Sequence, residues 1–286
     1  MYENFYGFTR RPFTLAPDTA FLFLGRHHRH ALTMMEYTLR HGVGFALLTG
    51  EIGSGKTTLV RQLAKSVDSD LMVCLINNTH PGSGPLLPWV CQAAGLPPGT
   101  RSAPELYQAL VTHLAQAYVA GRRVVLIIDE AQNLGPNALE ELRVLSNINA
   151  EAHMLLQTLL VGQPELRSTL QRGNMRQFAQ RIAIDYHLGN LSLEETHAYV
   201  RHRLAIAGGS PEIIADSAVA AVHYRTGGVP RLINILCDTA LVYGFAEQRN
   251  CVDTALMNQV IDERAAGGLL PLVASVPRSP VQASIA

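Results

Sequence analysis

The sequence predicts an α/β fold, a parallel sheet flanked by helices, followed by an all-helical subdomain. Three observations predict it. Short apolar runs alternate with helical stretches through the first two thirds of the chain, the pattern of strand–helix–strand crossovers. One of these runs leads directly into a glycine-rich loop and then a helix. Beyond Gly189 the strand pattern stops and only helical spacing remains.

Taken in order, residues 1–25 are rich in aromatics and end in FLFLG, which reads as an ordered cap segment packing on the α/β body. RHHRHALTMMEYTLRHG carries Leu32, Met35 and Leu39 at helical spacing and closes on Gly42, a glycine helix stop. The runs GFALLTG, LMVCLINN, RRVVLIIDE and HMLLQTLLVG are strands, and IAIDYHL supplies a fifth. GSGPLLP and GLPPGTRSAP are loops by their glycine and proline content. After Gly189, SLEETHAYVRHRLAIAG opens on Ser192 with Glu195 three residues on, a capping box. DSAVAA and DTALMN begin on aspartate caps. The resulting organisation is a cap segment over 1–25, an α/β domain over 26–190, a helical lid subdomain over 191–264 and a flexible tail over 265–286.

Bulk properties bound the function. A chain of 286 residues with 48% hydrophobic content can bury a sizeable core. Lys plus Arg and Asp plus Glu are equal at 23 each, which argues against a strongly basic nucleic-acid binder. Cys74, Cys91, Cys237 and Cys251 are scattered without a Cys-x-x-Cys pair, so they read as free thiols in a reducing compartment. The N-terminus lacks an apolar signal core, and no apolar run approaches the roughly 20 residues a bilayer span needs. Membrane contact is therefore expected only through a partner.

GEIGSGKTT fits G-x-x-x-x-G-K-[ST] and stands between the run FALLT and a helical stretch. That context makes the fold a P-loop NTPase. The backbone of Gly50, Glu51, Ile52, Gly53, Ser54, Gly55, Lys56, Thr57 and Thr58 is expected to cradle phosphate oxygens at a helix N-terminus. Lys56 would reach the β- and γ-phosphates of ATP, and the Thr57 hydroxyl would hold Mg2+. VVLIIDEAQ puts Asp129 and Glu130 at the C-terminal end of a buried strand. Asp129 would orient Mg2+ through its water shell, and Glu130 would polarise the attacking water. LLVGQPEL ends a further strand at Gln163, which either contacts the γ-phosphate and water or serves as a turn residue before Pro164.

Two arginines complete the pattern. Arg231 follows Gly-Gly and Pro230 in a first helical turn, where a cation opposes the helix dipole and a phosphate would offset that cost. It reads as an arginine sensing nucleotide in its own subunit. Arg181 precedes IAIDYHL, far in sequence from the glycine-rich loop. It could complete the γ-phosphate site of a neighbouring subunit, with Arg176 as the nearby alternative. His27, His28 and His30 read as a solvated helix start, because no acid or thiol partner stands at ligand spacing.

These parts in this order resemble the AAA+ ATPases, near the initiator-type branch. The longer phrases MYENFYGFTRRPFTLAPD, IIDEAQNLGPNALEELRVLSN and GGVPRLINILCDTALVYGF resemble the ExeA and general-secretion-protein-A type, most of all the ATPase associated with exosortase (PEP-CTERM) exopolysaccharide loci. The resemblance spans about residues 1–263. It implies an ATP-driven, Mg2+-dependent homo-oligomer, ring or spiral, in cell-envelope assembly. The implied partner is a secretion or polysaccharide-export component, with residence in the cytoplasm or at the face of the inner membrane. It also implies Lys56, Thr57, Asp129 and Glu130 as nucleotide and hydrolysis residues, Gln163 as first sensor, Arg181 as the arginine given in trans and Arg231 as second sensor. The first sensor in AAA+ proteins is more often Asn. A DNA-bound regulator of the transposition-ATPase or initiator type is the second reading, ranked lower for the balanced charge.

Overall fold

The computed structural model describes residues 1–66, 70–77, 84–149 and 154–273. They divide into two compact units. One holds residues 26–52 and 56–189; the other holds 1–25, 53–55 and the residues from 190 onward. A helical turn, α1 (Glu3–Tyr6), opens the chain.

The first unit begins with α2 (Arg26–Arg40). It continues through β1 (Phe45–Gly50), α3 (Lys56–Ser66), β2 (Leu71–Ile76), α4 (Leu86–Ala93) and α5 (Ala103–Val119). Then come β3 (Arg123–Ile128), α6 (Pro136–Leu145), β4 (Leu156–Gly162), α7 (Pro164–Leu170), α8 (Arg176–Ala179) and β5 (Ile182–Leu188). All strand pairs are parallel, in the order β2-β3-β4-β1-β5. The P-loop NTPase arrangement of a parallel sheet flanked by helices is thus as the sequence predicts.

Position in the sheet explains the strand sequences. β4 lies between β3 and β1 and is buried along its whole length. β3 reads RVVLII without alternation, and Val125 to Ile128 are fully buried because helices cover both faces. Burying each such side chain contributes about 1.5–3 kcal/mol. β5 is an edge strand, and Ile182, Ile184 and Tyr186 are more covered than Ala183, Asp185 and His187. Its apolar–polar alternation follows from having one covered face.

α2 ends as expected: Gly42 has φ +67°, and the Val43 N–H reaches back to Thr38 O at 3.1 Å. The Arg123 guanidinium donates to the last carbonyls of α2, Leu39 O at 2.7 Å and Arg40 O at 2.9 Å. Where a loop was expected over GSGPLLP, α4 already begins at Leu86. Pro88 falls in its first turn, where a missing N–H costs no helical bond. The Glu141 carboxylate of α6 accepts from the N–H groups of Leu86 and Leu87 at 2.8 and 3.1 Å and so caps this start from a distance.

The second unit is built on α9 (Leu193–Ile206), α10 (Asp216–Thr226), α11 (Pro230–Ala246) and α12 (Thr254–Ala266). Ser192 and Glu195 form the capping box at α9, and the Asp253 side chain caps α12. Asp216 is not a cap. Ala215 holds the N-cap position, and Asp216 is the first helical residue, accepting from Arg201 at 2.8 Å. The turn into α11 is tight: a Cβ on Gly228 would stand 2.0 Å from Leu191 O.

Residues 1–25 join this helical unit rather than the α/β body. Tyr2, Tyr6, Phe8, Phe13 and Phe21 enter its core beside Leu204, Ile233 and Leu236. Arg203 of α9 is buried there and donates to Pro12 O at 2.6 Å and to the Tyr199 hydroxyl at 2.8 Å. Its guanidinium also lies 4.6 Å from the centre of the Phe21 ring. The N-terminal aromatics were written for the surface of α9 and α11. The tail expected from 265 begins inside α12, which runs to Ala266, and from 274 onward it lies outside the described residues.

No helix among the described residues is long and apolar enough to cross a membrane.

Candidate functional site

In a parallel sheet every strand ends at the same edge. β1 ends at Gly50, β3 at Ile128 and β4 at Gly162. Thr49 pairs with Gly162 and Ile128 with Leu160, so the residues just beyond these ends share one level. Gly50, Asp129, Glu130 and Gln163 therefore meet at the C-terminal edge of the sheet.

The loop after β1 wraps round its own lysine. Lys56 is buried, and its ammonium donates to Gly50 O at 2.7 Å and to Glu51 O at 3.0 Å. Gly53 and Gly55 take φ +80° and +102°, conformations other residues resist. Glu51 and Ile52 are exposed, and Ser54 is buried. Thr57 and Thr58 lie in the first turn of α3. Gly53–Gly55 group with the helical unit, within which the Arg231 N–H donates to Gly53 O at 3.2 Å. The Arg231 side chain lies across Gly53 so closely that a Cβ there would stand 2.4 Å from Arg231 Cβ.

The Thr57 hydroxyl donates to Asp129 Oδ2 at 2.8 Å, and the Glu130 N–H donates to Asp129 Oδ1 at 2.9 Å. Burial pushes the Asp129 carboxyl above its ordinary range, more than these two hydrogen bonds draw it down. Burial likewise lowers Lys56, against the opposing pull of Glu130 and Asp129. The site thus holds a buried cation and a buried anion, each disfavoured by desolvation. A bound phosphate would stabilise the first and a cation the second. Thr57 Oγ1 and Asp129 Oδ2 are hard oxygen donors of the kind Mg2+ takes, so these residues fit that ion.

Glu130 has φ +56°, a left-handed conformation that a non-glycine residue holds only at a cost of about 1–3 kcal/mol. Its carboxylate Oε2 accepts from Gln132 Nε2 at 2.5 Å and lies 3.4 Å from Gln163 Nε2. Gln163 is at once the N-cap residue before Pro164 and a neighbour of Glu130, so its two readings are compatible. Gln132 escaped the sequence reading. Its only signal was its place two residues after the acidic pair, in a short 3-10 turn (Ala131–Asn133).

Arg181 stands at the other edge. Ile182 pairs with Phe45, the first residue of β1, whereas Gly50 is its last. Five residues at ~3.3 Å each separate those ends by roughly 16 Å along the strand. Arg181 is exposed, and Nη1 donates to Asn147 Oδ1 at 2.9 Å, to the Ser146 hydroxyl and to Arg143 O at 3.4 Å. Arg176 is exposed on α8. Of the three histidines, His27 and His30 are exposed, as a solvated helix start has them, whereas His28 is buried.

A parallel five-stranded sheet carrying this loop, the acidic pair at the end of β3 and a helical unit after the sheet is the AAA+ arrangement of the P-loop NTPases. Residues 39–170 match the model of an AAA domain. General secretion pathway protein A of Aeromonas hydrophila is 40% identical over 247 residues, 86% of this chain and 45% of that protein. The chain thus spans under half the length of that curated relative. In fold it is similar to the ORC2 protein of Aeropyrum pernix, solved as ADPNP–ADP complexes, with a TM-score of 0.67 and 20% identity over 90% of this chain and 72% of the other. It is also similar to the Aeropyrum pernix ORC1 protein solved in complex with DNA, with a TM-score of 0.64 and 19% identity over 89% and 69% of the two chains.

Proposed function

We propose that this chain is a Mg2+-dependent ATPase that works as an oligomer, serving a secretion or exopolysaccharide-export component of the cell envelope. The observation that carries the reading is the meeting of the loop lysine, the Thr57–Asp129 pair and Glu130 at one strand edge. Identity to a general secretion pathway protein supports the pathway.

In this mechanism the N–H groups of the loop and Lys56 hold the β- and γ-phosphates of ATP. Thr57 and Asp129 hold Mg2+, which supplies charge neutralisation for the phosphate oxygens. Glu130 takes a proton from water as that water attacks the γ-phosphorus and the bond to the β-phosphate oxygen breaks. Gln163 steadies the base and the γ-phosphate. Arg231, lying over Gly53, acts as the second sensor. Arg181 stands too far along the sheet to serve its own site, which supports its completing the site of an adjacent copy, with Arg176 as the alternative donor.

The test is ATPase rate per subunit against protein concentration for the wild type, Lys56→Ala, Arg181→Ala and an equimolar mixture of the two mutants. The expected result is a rate that rises with concentration, mutants at least ~10-fold slower, and a mixture that recovers activity neither mutant has. A flat rate with normal Arg181→Ala turnover would overturn the oligomeric reading. ATP-dependent binding to duplex DNA, weakened by salt, would replace the envelope client with a nucleic acid.

A further inference from the structure

We infer that Gln132 is a positioning residue for hydrolysis, its side-chain amide binding the carboxylate of Glu130 to the end of β4. The inference rests on the reading of Glu130 as the base. The amide uses both of its ends. Nε2 donates to Glu130 Oε2 at 2.5 Å, and Oε1 accepts from the Gln163 backbone N–H at 3.0 Å. One side chain thus spans from the turn after β3 to the residue that follows β4. Gln163 Nε2 adds a longer contact to the same carboxylate oxygen, at 3.4 Å.

Two further features show a built arrangement. Gly162 leaves room for it: a Cβ there would stand 2.9 Å from Gln132 Oε1 and 2.9 Å from Leu166 Cδ2. Gly162 has ordinary strand geometry, with no positive φ to require glycine. The demand for a small residue is therefore one of space, and Gln132 is half of what fills the space. Glu130 itself sits in a left-handed backbone conformation, which neighbouring contacts must hold. The Gln132 amide is such a contact, two residues along the same turn. It binds the carboxylate to a backbone N–H, the least mobile donor available. Gln132 touches the base rather than any reacting atom, so its effect belongs in turnover and not in nucleotide affinity. A misplacement of about 1 Å at a base can cost on the order of 10²-fold in rate.

The experiment compares the wild type, Glu130→Gln, Gln132→Met and Gly162→Ala. Gln132→Met keeps the length and volume but neither end of the amide. Three quantities are read with Mg2+ present: the Kd for ATP, kcat, and the ratio of Kd for ADP to Kd for ADP with aluminium fluoride, a mimic of the transferring phosphoryl group. Gln132→Met is expected to keep Kd for ATP within about 2-fold, to lower kcat about 10- to 100-fold and to lose most of the preference for the aluminium fluoride complex. Gly162→Ala is expected to follow it, because the new methyl group displaces the same amide. A purely structural role would weaken ATP, ADP and the mimic together. Wild-type kcat and mimic preference in Gln132→Met, beside an inactive Glu130→Gln, would overturn the inference and leave the reading of Glu130 standing. Undiminished turnover in Glu130→Gln would instead sink the reading on which the inference rests. Should Gln132→Met fail to fold, by its circular dichroism and thermal midpoint, Gln132→Asn decides in its place: one methylene shorter, it cannot reach both partners and is expected to show the same split.

Discussion

Asp129, a proposed Mg2+ ligand, carries a charge that opposes the folded state. Burial raises its carboxyl pKa, so at neutral pH the ionised form opposes the folded state. Asp129→Asn removes that charge and can keep both hydrogen bonds, giving to Thr57 and accepting from the Glu130 N–H. The ligand-free variant should therefore melt higher than the wild type, by about 1–3 °C, as a gain on the order of 0.5–1 kcal/mol implies. Mg2+-ATP should raise the midpoint of the wild type but not of the variant. Calorimetry of the two proteins with and without Mg2+-ATP checks both halves, and a variant that melts lower without ligand would refute the account of the buried charge. The same scale explains which residues of the proposed site sequence alone could find. Lys56, Thr57, Asp129 and Glu130 are set by motif spacing and by the end of an apolar run. Gln132 is set by a space beside Gly162, and no spacing rule encodes a space.

At the scale of elements, patterning carried most of the information. β3 and β4 are legible because both faces are buried and the runs are continuous. β5 is legible because one face is covered and the run alternates. Helix starts were read well where a side chain caps locally, as at Ser192 and Asp253. They were misread where the cap is remote or absent: α4 takes its carboxylate from Glu141, more than fifty residues on, and α10 starts without any side-chain cap. Two substitutions test these distinctions. Ser192→Ala should cost about 1 kcal/mol, the usual loss for a removed N-cap. Gly228→Ala should cost much more and disrupt the turn into α11, since the methyl group would meet a backbone carbonyl and φ there is +75°. Urea denaturation of the two variants ranks them, and a mild Gly228→Ala would refute the close approach.

For the whole molecule, the main surprise is where the first 25 residues belong. Their aromatic content signalled an ordered segment, but composition does not say which surface an aromatic segment will choose. The choice rests on Arg203, whose donors match the carbonyls of Pro12 and Thr14, and on Asp238, which accepts from Tyr2 and from Arg11 at 3.0 Å. None of these pairings lies within 180 residues in sequence, and that is why local reading missed them. Removing residues 1–25 should selectively loosen the helical unit. Hydrogen exchange should speed up in α9 and α11 by at least ~10-fold while β3 and β4 keep their protection. Equal loss of protection in both units would contradict the assignment.

That arrangement has a consequence for synthesis. Residues 1–25 are made before the sheet, yet the helices that receive them come after Asn190. At ~5–20 residues per second, the segment waits for roughly 10 seconds or more while the sheet is made and folds ahead of it. For that interval Tyr2, Phe5, Tyr6, Phe8 and Phe13 are sticky and homeless. Helices made later close over a segment made earlier, and a nascent chain arrested once β5 has left the ribosome would carry a finished sheet with an exposed aromatic arm, a natural target for a chaperone.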